Sequence, residues 1–94
     1  MITRIEAEEE DLSILHLRRG FPEAFQVFVF EYYAELFSFS LLLVNDRSSA
    51  RKITSEAFFL LWARRTEFDT AKKIKAFLYL AVRNRCMLQV RSAD

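Results

Sequence analysis

Glycine and proline are nearly missing from this chain, with one of each in 94 residues. Both residues punctuate regular structure, so their scarcity leaves little material for tight turns. No stretch sustains a period-two alternation and no glycine-bearing hairpin is present, which excludes a hairpin-rich β fold. Cysteine is equally scarce. Cys86 stands alone, so an internal disulfide is excluded, and within its apolar helical stretch it reads as a small buried residue. His16 is the only histidine and sits in a Leu-His-Leu-Arg stretch that reads as an ordinary helix face. Without a Cys/His spacing or a glycine-rich phosphate loop, the common zinc and nucleotide sites are excluded. No metal, cofactor or enzymatic activity is expected. No uninterrupted apolar run approaches a membrane span, and the opening MITRIEAEEEDL is acidic where a signal peptide is basic and then apolar. These absences point to a cytoplasmic protein without membrane insertion.

What the chain does contain is apolar surface. Hydrophobic residues make up 52% of it, including ten phenylalanines, enough for the one modest core that a domain of this size can bury. Four helical segments follow. The first, roughly residues 5 to 19, places Leu12, Leu15 and Ile5 on one side and stops at Gly20. The second starts near Phe21 and Pro22 and runs to Val44, before Asn45 and Asp46. Phe25, Phe28, Tyr32, Leu36, Phe39 and Leu43 recur along it at helical spacing, while Val27, Phe30 and Phe37 widen the stripe beyond one packed face. That surplus suggests a partner or self-association surface. The third segment, about Ser48 to Arg65, is capped by Ser48 or Ser49 and turns Ile53, Ala57, Leu60 and Leu61 inward, with Trp62 closing the core. The stretch TEFDTAKK breaks the pattern, and Asp69 or Thr70 caps a fourth helix through Arg91. Phe77, Leu78, Ala81 and Val82 form its apolar stripe. The expected fold is all-α, a compact bundle of about four helices in a single domain covering residues 1–94.

Net charge is only +1, but it is unevenly spread. Glu6, Glu8, Glu9, Glu10 and Asp11 crowd the first residues, without the spaced ligands and turn of a calcium loop. They read as an acidic helix start. The last quarter is basic and interleaves Phe68, Phe77 and Tyr79 with Lys72, Lys73, Lys75, Arg83, Arg85 and Arg91. Single-stranded nucleic acid is bound by such mixtures, with cations along the phosphates and rings against unpaired bases. Phe77 and one side of Tyr79 belong to the core, which leaves Phe68, in the break, as the freer ring.

The order of residues carries a family resemblance. LRRGFPEAFQVFVFEYYAELFSFSLLLVND, ARKITSEAFFLLWARRTEFD and IKAFLYLAVRNRCMLQVR together resemble the second conserved region of bacterial sigma factors of the extracytoplasmic-function class, in a form like that of gut-type Bacteroidetes bacteria. The matching elements are Gly20 before Ala24-Phe25, then Tyr32, Leu36, Asp46, Ala50, the Glu56-Ala57-Phe58 block with Leu61-Trp62, and Leu78-Tyr79 leading to Arg83-Asn84. The resemblance implies a helical domain of transcription initiation whose third helix docks on the clamp coiled coil of core RNA polymerase. Its loop and fourth helix would capture the single-stranded non-template strand of the minus-ten promoter element. On that mapping Arg51, Lys52, Ser55 and Glu56 form the polymerase face, and Phe68, Thr70, Lys72, Lys73, Lys75 and Asn84 border the DNA. An anti-sigma factor is a further expected partner.

Three departures qualify the mapping. Where the family carries an acid followed three residues later by Gln, this chain has Lys52 and Ser55, and only Glu56 keeps the pattern. The family's acid shortly after the Asn is replaced by Leu88. The helix-turn-helix module that reads the minus-thirty-five element in the family does not follow within this sequence. The competing expectation is a helical protein-interaction module that keeps the fold without promoter binding.

Overall fold

The computed structural model describes residues 12–93, and every regular element among them is helical. Helix α1 covers 12–18 of the described chain, α2 is Pro22–Val44, α3 is Arg47–Ala63 and α4 is Ala71–Ala93, with a single 3₁₀ turn at Arg65–Glu67 before α4. The chain therefore forms the all-α bundle of about four helices that its composition implies.

Each connection follows from local chemistry. Gly20 has φ 84°, a left-handed conformation that side chains disfavour. Its N–H donates to Leu17 O at 2.9 Å and that of Phe21 to His16 O at 3.0 Å, the paired bonds of a Schellman stop. Pro22 then opens α2, where its missing N–H costs nothing. At the other end Asn45 adopts φ 53° and its N–H donates to Leu41 O. Asp46 caps α3 by accepting the Ser49 N–H at 2.9 Å. The expected cap at Ser48 or Ser49 is thus displaced: an aspartate directly after the left-handed Asn45 reaches the free N–H groups first, so both serines lie inside the helix. Helix α3 ends at Ala63, two residues before the expected Arg65, because the chain tightens into the 3₁₀ turn. Thr70 fulfils its expected role, its hydroxyl accepting the Lys73 N–H at 3.1 Å.

The core sits where α2, α3 and α4 converge. Leu17, Leu36, Leu61, Ile74, Leu78, Val82 and Cys86 are fully buried. On α4 the buried line is Ile74, Leu78, Val82 and Cys86, one residue every four, with Phe77 and Ala81 half-buried at its flank. Cys86 Sγ lies 3.4 Å from the buried Ser40 hydroxyl, which gives both polar groups a partner. On α1 the expected face is wrong. Ile14 and Leu17 are buried, whereas Leu12 and Leu15 are 54% and 41% exposed. Both pairs are three residues apart, so periodicity cannot choose between them and only packing does; Ile5 lies outside the described residues. On α2, Phe28 and Leu36 are buried and Phe25, Tyr32, Phe39 and Leu43 half-buried, while Phe30 is 90% exposed. Trp62 is half-buried and meets Phe25 edge-on, with centroids 5.2 Å apart.

Helix α2 is also long and apolar enough, by length and composition, to cross a bilayer, with 17% of the relevant stretch buried. It packs against both α3 and α4. Its Glu35 accepts the Tyr79 hydroxyl at 2.8 Å.

Candidate interaction faces on α3 and α4

The cap at Asp46 sets the phase of α3. From that start, Ala50, Ile53, Thr54, Ala57, Phe58 and Leu61 point into the core. The intervening positions must then face outward, and Arg51, Lys52 and Ser55 are all exposed, with Glu56 half-buried at the edge. The four residues assigned to a polymerase face are therefore brought together. Phe59 joins them, one turn beyond Ser55 and 72% exposed. Sequence reasoning passed over it because it sits within AFFLLWA, which reads as core. The signal was there: Phe59 is about 200° from Ala57 on a helix, so with Ala57 inward Phe59 faces out.

Helix α4 completes this side of the molecule. Arg85 Nη1 lies 3.5 Å from Glu56 Oε2, a bridge between the two helices at the surface. A depression of about 210 Å³ opens there, between Lys52 and Glu56 on α3 and Arg85 and Gln89 on α4. Arg85 and Leu88 also line a second groove of about 370 Å³, floored by Leu60, Phe77 and Ala81 and bordered by Arg64 and Asn84. The Arg64 guanidinium stands 5.2 Å from the Phe77 ring centre and binds both Glu67 oxygens, at 2.9 and 3.0 Å. That hydrogen-bonded pair raises the Arg64 pKa and lowers that of Glu67.

The residues assigned to DNA do not share one face. Lys75 lies on the α2 side, 4.0 Å from Glu35 and with its ammonium 5.9 Å from the Tyr32 ring centre. Asn84 lines the α3 side. Nine residues separate them, which on an α-helix is about half a rotation beyond two full turns. Lys73, about 20° from Asn84 by the same arithmetic, shares its side and forms a 2.9 Å pair with Asp69. The Lys73 contact holds the Asp69 carboxyl below its ordinary pKa. Lys72 is exposed and Thr70 is committed to its cap. Phe68 corrects the sequence expectation outright: it is 8% exposed, and its ring centre lies 5.0 Å from that of Phe77. A loop as short as this one, pinned between α3 and α4, gains most by sending its one aromatic ring inward, so Phe68 is no free platform for a base.

On the α2 side the Tyr79 hydroxyl donates to Glu35, and burial and then the neighbouring carboxylate raise the Tyr79 pKa. Among the described residues no group of three His, Cys, Asp or Glu side chains is placed to hold a metal ion. No family model, curated protein or solved structure matches the chain.

Proposed function

We propose that this chain is a sigma-type domain of transcription initiation that docks core RNA polymerase through the outward face of α3. The observation supporting this most strongly is the grouping of Arg51, Lys52, Ser55 and Glu56 on one exposed surface, extended by Phe59. Aromatic residues, Phe among them, and Arg are enriched at protein–protein interfaces. The start of α4 takes the DNA role. Lys72 and Lys73 approach the phosphates of the single-stranded minus-ten element, and Asn84 offers its amide to a base edge in the groove beside Phe77. Phe68 holds the loop from beneath, and Lys75 contributes charge from the α2 side only. The work is cytoplasmic, since its partners are polymerase and promoter DNA, and an anti-sigma factor would compete for the same helices.

A second reading has its own support. The separation of Lys75 from Asn84 and the burial of Phe68 break up the DNA surface, whereas Phe30 and Phe59 remain exposed. Those features suit a protein-interaction module of the same fold that has lost promoter binding.

Co-purification with core polymerase separates the two. Wild type is expected to be retained and Glu56→Arg to be lost from the complex. In the same preparation, single-stranded minus-ten DNA should bind better than duplex, and Lys72→Ala with Lys73→Ala should weaken it for every sequence. Retention of polymerase without any preference for single strands supports the interaction module; no retention of wild type rejects the polymerase role.

A further inference from the structure

The first two turns of α3 contain Arg47, Arg51 and Lys52 and no acid in the opening turn. A helix N-terminus carries partial positive charge that fades beyond its first turn, so Arg47 is placed against that field, with Arg51 and Lys52 following one turn on. All three are exposed, and among the described residues none makes an ion pair. Elsewhere on the surface Arg64 is partnered by Glu67, Lys73 by Asp69 and Arg85 by Glu56, whereas Arg18, Arg19, Lys72, Arg83 and Arg91 are exposed and, among the described residues, form no ion pair either. What sets the α3 three apart is their place: they crowd the first two turns of one helix, where the Asp46 cap is the one acid. Phe59 lies further along the same face and is 72% exposed, so the surface is cationic at one end and aromatic at the other. From Arg47 to Phe59 it runs about 18 Å, the length of a partner helix of three to four turns.

From this arrangement we infer that the partner element docking on α3 is an acidic amphipathic helix, with carboxylates opposite Arg47, Arg51 and Lys52 and an apolar side chain on Phe59. This rests on the reading that α3 is the docking helix, and it specifies the charge of what docks. A nucleic-acid strand fits the face less well. Glu56 stands within it and would repel a continuous row of phosphates, whereas a helix can place carboxylates selectively.

The test uses the whole chain and three labelled probes in fluorescence anisotropy. One is a helical peptide of about four turns with Glu on one face and Leu on the next. The second is the same peptide with Lys for each Glu, and the third is a single-stranded oligonucleotide. Wild type should bind the acidic peptide at least about tenfold more tightly than the basic one, with the preference shrinking as salt rises. Arg51→Glu with Lys52→Glu should reverse that order, and Phe59→Ala should weaken both peptides while preserving it. These side chains are exposed, and far-ultraviolet circular dichroism confirms that each variant is folded. Equal binding of the two peptides, a preference for the basic one, or indifference to the charge reversal overturns the inference. Tighter binding of the oligonucleotide, lost in the same double variant, assigns the face to nucleic acid instead. Polymerase retention is scored separately, so failure here with wild type still retained rejects the acidic partner and leaves α3 docking intact. An acidic preference without retention rejects polymerase and keeps the acidic partner.

Discussion

Replacing Trp62 by alanine tests how α3 is anchored. Trp62 meets Phe25 edge-on at 5.2 Å, the Arg65 guanidinium lies 4.4 Å from its ring centre, and Arg65 Nη1 donates to the Trp62 carbonyl at 3.0 Å. Truncating a fully buried aromatic costs about 3–5 kcal/mol, and a half-buried one about half of that, close to 2 kcal/mol. The aromatic pair adds about 0.5–1.5 kcal/mol beyond its area. Loss of the stacked guanidinium adds about 0.5–1 kcal/mol. One effect opposes these: Arg65 Nε is buried without a hydrogen-bond partner, and removing the ring admits water to it. The net expectation is about 3 kcal/mol, a large share of the stability of a domain this small. With a urea slope near 1 kcal/mol per molar, the midpoint should fall by about 2–3 M. The melt is followed by far-ultraviolet circular dichroism, because the substitution removes the only tryptophan. A shift below about 0.5 M would mean that the ring does not hold α3 against α2.

Gly20→Ala should cost about 1–2 kcal/mol in a urea melt, because φ 84° is strained for any side chain and the new Cβ would lie 3.3 Å from Arg65 Nη2; an unchanged midpoint would reject the left-handed stop. Phe68→Ala should cost about 3 kcal/mol, as befits a core ring, and unaltered stability would return Phe68 to the surface. The Ser49 hydroxyl and then its N–H lower the Asp46 pKa, so the cap contributes stability above the ordinary aspartate range and loses it as pH falls through the lowered value. Thermal melts of wild type and Asp46→Ala should therefore differ at neutral pH and converge in acid; a constant gap would place the cap elsewhere.

Much of the fold was legible because its signals are local. Gly20, Pro22, Asn45 and Thr70 act on backbone groups within a few residues, and each does in the structure what its chemistry suggests. Face selection was less legible wherever apolar residues outnumber the positions a helix can bury. In α1, Leu12 with Leu15 and Ile14 with Leu17 are equivalent by spacing, and only contact with the rest of the bundle decides. Phe59 was hidden by the same excess. The grouping of Arg51, Lys52, Ser55 and Glu56 was readable because they fall within two turns of one helix, whose inward side is marked by Ile53, Ala57 and Leu61. The arrangement of the residues assigned to DNA was not readable, because they come from a loop and from positions up to 16 apart in sequence, Phe68 to Asn84. Burial of Phe68 and the half-rotation between Lys75 and Asn84 are tertiary facts that composition does not carry.

The central claim is that α3 meets polymerase with its outward face, and site-specific photocrosslinking tests it most directly. A photoreactive side chain at position 59 or position 30 places the probe at an exposed point of α3 or α2 without disturbing the core. Mixed with core polymerase and irradiated, the position 59 protein should join the clamp coiled coil in high yield, the position 30 protein should not, and Glu56→Arg should abolish the adduct. Crosslinking from position 30 alone, or from neither position, would contradict the account.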